Sequence, residues 1–178
     1  MKTIGKREKL LVDVVLFLIK FSLFSIPIYI IKFLNLNLLP LQQIHAFILA
    51  YLLNLVSIKS QVFYTLSPET LAEIPAIHLE NFNLSFAIDN SCTGYIAMLA
   101  LTGLIFSTPR KKFKQRVLFL IGGLLILFVI NVLRIFLTIL FALNFGEEYL
   151  DIVHGLLWRE FLLIVVILLW IVFLKRSK

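Results

Sequence analysis

The chain has 178 residues, 61% of them hydrophobic and 15% charged, with a mean hydropathy of +1.01. A soluble domain is closer to half apolar and cannot hide more than that from water, so the apolar stretches face lipid and a separate soluble domain is excluded. The net charge of +7 sits mostly in short segments beside apolar runs, which is a topology signal and not the footprint of a nucleic-acid partner.

In chain order, five apolar segments stand out near the roughly twenty residues a bilayer requires. They run from Leu10 to Ile31, Pro40 to Ile58, Cys92 to Thr108, Val117 to Leu143 and Gly155 to Leu174. The first follows a basic start, is interrupted by Asp13 and Lys20, and has no small-residue cleavage site after it. It reads as a retained span and not as a secretory signal. The expected fold is an all-α polytopic membrane protein of about five transmembrane helices, a single membrane domain over residues 1–178. Its parts are N-terminal spans in 1–58, a long extracytoplasmic loop in 59–91 and core spans in 92–178. In that loop, punctuated by Pro68 and Pro75, Phe82 to Asp89 alternates apolar with mostly polar or small residues. That period of two predicts a short β element over the outer membrane surface, leading into Cys92.

The segment from Pro109 to Arg116 reads PRKKFKQR, with five basic residues in eight, and Lys175, Arg176 and Lys178 end the chain. Both belong on the cytoplasmic side of the membrane. Acidic residues gather in the other connections: Glu69, Glu73, Glu80 and Asp89, then Glu147, Glu148 and Asp151. Those two loops are expected to face outward. Counting back puts the N-terminus outside, whereas Lys2, Lys6, Arg7 and Lys9 favour the inside. Either the rule is broken there, or the stretch flecked with Gln42, Gln43 and His45 does not fully cross.

Three residues carry the chemical argument. Cys92, the single cysteine, opens the third segment in Asn90-Ser91-Cys92-Thr93-Gly94. With Asn90 or Ser91 as N-cap it falls in the first helical turn, where unsatisfied N–H groups favour a thiolate. Gly94 removes bulk where a peptide would approach, and the amides around Thr93 and Gly94 are placed to hold an oxyanion. A lone membrane cysteine also has a bland reading, an inert thiol facing lipid. Arg134, inside the fourth apolar run, costs several kcal/mol unless it pairs or snorkels. It lies about 26 Å above the basic segment at ~1.5 Å per residue, near the outer boundary. Asn131, three residues earlier, shares its helix face and is placed to orient the guanidinium. His154 precedes the fifth segment and brings an imidazole, able to act as base and acid, to the same boundary.

A cysteine with glycine two positions on at the head of a span (Cys92-Thr93-Gly94), Asn131-x-x-Arg134 late in the next, and His154 at the head of the last form an ordered set. With short basic cytoplasmic connections, this order resembles the exosortase/archaeosortase family of membrane transpeptidases, of which the chain would be a minimal version. The resemblance covers roughly the second half of the chain. It implies a cysteine protease or transpeptidase whose partners are exported proteins ending in a motif, a transmembrane helix and a basic tail. By that analogy Cys92 attacks the scissile carbonyl, His154 shuttles the proton and Arg134 stabilises the thiolate or oxyanion. The expected location is the cytoplasmic (inner) membrane, among its lipids, with the site facing out.

No cofactor is expected: one cysteine and no clustered histidines or carboxylates leave a metal site short of ligands. His45 and His78 have no partners at a recognisable spacing. Arg159 and Glu160, about a turn and a half into the last segment, read as structural charges facing the bundle interior. The competing reading is a small non-enzymatic transport or assembly subunit whose intramembrane Arg134, Arg159 and Glu160 bind an ion, a headgroup or a partner helix.

Overall fold

The computed structural model describes residues 6–67, 72–109, 111–146 and 158–175, with the backbone alone at 6 and 158–160. Its elements are α1 (Lys6–Phe33), α2 (Leu39–Leu55), β1 (Ser60–Leu66), β2 (Glu73–Leu79), β3 (Leu84–Ala87), a 3-10 turn (Ser91–Thr93), α3 (Tyr95–Ser107), α4 (Phe113–Phe145) and α5 (Trp158–Lys175). A helix therefore accounts for most of the described part of each of the five apolar segments. By length and composition α1 and α4 suffice to cross a membrane, while α2, α3 and residues 161–175 of α5 are shorter apolar helices.

The strand expected around Phe82–Asp89 is β3. Two further strands precede it, and all three form one antiparallel sheet in the order β1-β2-β3. The central strand contains Pro75, a residue that ordinarily argues against a central strand. Here it sits where the β2–β3 ladder runs out: the last residue of β3, Ala87, pairs with Ala76. Beyond it the Pro75 carbonyl still accepts Ile88 N–H at 2.9 Å. The N–H that proline lacks would have pointed to the same side, past the end of β3, so the β1–β2 ladder loses nothing.

Two apolar clusters divide the molecule. One joins Leu101 and Ile105 of α3, Leu127 of α4, and Leu162, Val166 and Phe173 of α5. Helix α1 packs on α3 where Gly103 lets the backbones close: a Cβ there would lie 3.2–3.3 Å from Phe24 and Phe21. Small residues at such contacts are how helices associate in lipid. The other cluster joins Ala46, Leu49 and Leu53 of α2, Ile77 and Leu79 of β2, and Val132, Ile135 and Ile139 of α4, with Ile88 and Cys92. Thus α2 packs on the sheet and on the C-terminal half of α4. Asn54 ties its end to β1, donating to Ser60 O at 3.0 Å and accepting from Ser60 N at 3.1 Å.

Helix α4 runs through both clusters. Its opposite face exposes Leu118, Ile121, Leu125, Val129, Leu133 and Leu137, a stripe at helical spacing about 29 Å long at ~1.5 Å per residue. That is about one hydrocarbon thickness.

Candidate active site

Asp89 and Asn90 build the cysteine turn. The Asp89 Oδ1 accepts the Ser91 hydroxyl at 2.6 Å and the Cys92 N–H at 3.1 Å. Asn90 instead reaches across the molecule. Its Nδ2 donates to Leu36 O at 2.7 Å, and its Oδ1 accepts Leu38 N–H at 3.0 Å and Gln42 Nε2–H at 2.9 Å. The link between α1 and α2 is thereby pinned to the turn. The expected N-cap by Asn90 or Ser91 is replaced by a side-chain bond from Asp89. Cys92 stands on the 3-10 turn, ahead of α3 and not inside its first turn, because Gly94 interposes a left-handed residue at φ +68°. Thr93 is fully buried. Its hydroxyl and its N–H both bond Asn90 O, at 2.7 and 3.2 Å, so that amide is already engaged.

This placement alters the expected electrostatics. Burial, and after it the neighbouring Asp89 carboxylate, push the Cys92 thiol up to about 12, and the Arg134 charge pulls it back in part. The dominant causes both disfavour the anion, so the resting sulfur is a thiol and not the thiolate expected of a helix N-terminus.

Asn131 joins the turn to α4. One of its amide hydrogens goes to Cys92 O at 2.7 Å and the other to His45 Nε2 at 3.1 Å. Its Oδ1 faces Arg134 Nη1 at 3.4 Å. Asn131 and His45 are fully buried, and Arg134 is 6% exposed. The Arg134 Nε is buried with no hydrogen-bond partner among the described residues. The Asn131 side chain also lies over Gly94, where a Cβ would come within 3.1 Å of its Cγ.

The structure therefore brings Cys92, Thr93, Gly94, Asn131 and Arg134 together. The network sits at the seam between the two apolar clusters, since Leu127 belongs to one and Val132 to the other. His154 lies outside the described residues, as do the side chains of Arg159 and Glu160. Sequence reasoning passed over His45 and Gln42 as parts of this site and took Asn90 only as a cap. The first two were visible as polar residues three apart in an apolar helix, one face of which is buried; nothing local shows that Asn90 reaches α2.

The sequence profile of the family described as Transmembrane exosortase (Exosortase_EpsH) matches residues 10–174. Neither a curated protein nor a solved structure matches the chain.

Proposed function

This chain belongs to the transmembrane exosortase family, and from that premise we propose that it is an intramembrane cysteine transpeptidase acting on the C-terminal sorting signals of exported proteins. One observation carries the reading: Arg134, a buried cation whose Nε has no hydrogen-bond partner among the described residues, is held by the same Asn131 amide that grips the Cys92 carbonyl. A charge inside an apolar helix is retained for a reason, and its place beside a lone buried cysteine fits the stabilisation of negative charge on sulfur or on a carbonyl oxygen.

In the proposed reaction His154 takes the thiol proton and the Cys92 sulfur attacks the scissile carbonyl. Arg134 faces the oxyanion, which collapses to a thioester as the C-terminal fragment leaves as an amine, protonated by His154. An incoming nucleophile, or water, resolves the thioester. Because the resting thiol is protonated, the base is needed at the moment of attack. Gly94, with no side chain, leaves room for the Asn131 amide and not, as the sequence suggests, for an approaching peptide.

The packing of α2 on the sheet supports a topology that removes the charge conflict at the N-terminus. If α2 stays on the outer side with the sheet, then α1, α3, α4 and α5 cross, and the N-terminal basic residues, the PRKKFKQR segment and the basic tail all lie in the cytoplasm. The Cys92 turn then faces outward.

The decisive test co-expresses the chain with an exported protein ending in a motif, an apolar helix and a basic tail, and follows the tail by mass spectrometry. Wild type removes the tail and Cys92→Ala leaves it intact. If wild type leaves the tail intact, and a phenotype of losing the chain is rescued by Cys92→Ser but not by Glu160→Gln, the transport or assembly reading is favoured instead.

A further inference from the structure

His45 has no step in the reaction above, yet it is fully buried against the centre of the site. Its Nδ1 lies 2.8 Å from Leu41 O. A carbonyl oxygen only accepts, so Nδ1 carries the hydrogen and Nε2 presents a lone pair. The group facing Nε2 must then be a donor, and it is the Asn131 amide nitrogen at 3.1 Å. The second hydrogen of that nitrogen is claimed by Cys92 O at 2.7 Å. With both N–H groups committed, Oδ1 is left facing Arg134. A reversed amide would set its oxygen against the His45 lone pair and the Cys92 carbonyl together, and would turn its hydrogens on the guanidinium. The imidazole is held in turn by Phe128, whose ring centre lies 4.7 Å away.

We infer that His45 is a positioning residue: its Nε2 lone pair, held by the Leu41 carbonyl bond, locks the orientation of the Asn131 amide and so keeps the Arg134 guanidinium beside Cys92. The catalytic meaning of this lock rests on the transpeptidase reading, but its geometry does not.

Because Cys92 is the single cysteine, alkylation of the full chain by iodoacetamide in detergent reports on that one sulfur. His45→Phe keeps an aromatic ring in the pocket and removes the acceptor; His45→Gln returns an acceptor near the Nε2 position. His45→Phe is expected to slow alkylation about tenfold, the equivalent of one buried hydrogen bond. His45→Gln should stay close to the wild-type rate. A purely structural role has the opposite sign: loosened packing would expose Cys92 and quicken its reaction in both variants. The inference is overturned if His45→Phe reacts as fast as wild type or faster, or if His45→Gln is as slow as His45→Phe. Should His45→Phe fail to accumulate, His45→Met supplies the same comparison. If wild type processes no exported protein, only the transpeptidase reading fails, and the order of alkylation rates still decides for or against the lock.

Discussion

At Gly94 two demands meet in one residue. Its φ of +68° is a conformation that side chains disfavour, and a Cβ would press within 3.1 Å of the Asn131 Cγ. Gly94→Ala should therefore cost about 1–3 kcal/mol in strain and displace the amide that holds Arg134. A drop in melting temperature together with altered Cys92 alkylation is expected; an unchanged melting curve would dismiss the constraint. The cysteine itself predicts a pH profile. A thiol raised to about 12 by burial and Asp89 is almost wholly protonated at neutral pH, so alkylation should climb about tenfold per unit from pH 7 to 10. An unperturbed cysteine levels off near pH 8.5. Asp89→Asn removes the nearby negative charge, lowers the thiol's value and should speed alkylation at every pH in that range; a plateau in the wild-type profile near pH 8 would contradict the assignment. Arg134 and Asn131 were legible in the sequence because a charge and an amide in an apolar helix are costly and hence conspicuous. The partner of Asn131 on α2 was not, because nothing in the spacing of a single helix says which distant residue completes a hydrogen bond.

Among the elements, α3 is only 13 residues long, about 20 Å at ~1.5 Å per residue, and its C-terminal carbonyls need partners. Arg116, from the basic segment, supplies them, donating to Phe106 O at 2.6 Å and Thr108 O at 2.8 Å. The sequence presents this residue only as one of five charges that set topology. Arg116→Met should destabilise the detergent-solubilised protein by about 1.5–3 kcal/mol, the range for hydrogen bonds to a charged group. Arg116→Lys should recover part of it, since an ammonium cannot fork to two carbonyls as a guanidinium does. Thermal unfolding of the two variants separates this clamp from a role as mere charge, for which lysine would restore stability fully. The sheet was legible only at β3, where one residue in two is turned outward. Strand β2 buries Ile74, Pro75, Ala76 and Ile77 in succession, so it carries no alternation to read, and its proline mimics a loop signal.

For the molecule as a whole, the grouping of α2 with the sheet predicts which regions share a side of the membrane. In a Cys92→Ser background, single cysteines at the exposed positions Gln61 and Lys112 should label with an impermeant maleimide from opposite faces. Labelling of both from one face would mean that the sheet and the basic segment lie together. The five apolar helices could be read from composition, and the polar flecks Gln42, Gln43 and His45 already set α2 apart; its packing on the sheet could not be read, because no local pattern names a distant neighbour. The long reach of the site has a consequence in time. His45 and Asn131 are 86 residues apart, and the cysteine emerges between them. During synthesis the chain thus carries its cysteine well before the amide that organises its surroundings. If the chain is the transpeptidase proposed above, a half-made copy holds an unassisted thiol, and its activity waits until α4 is seated.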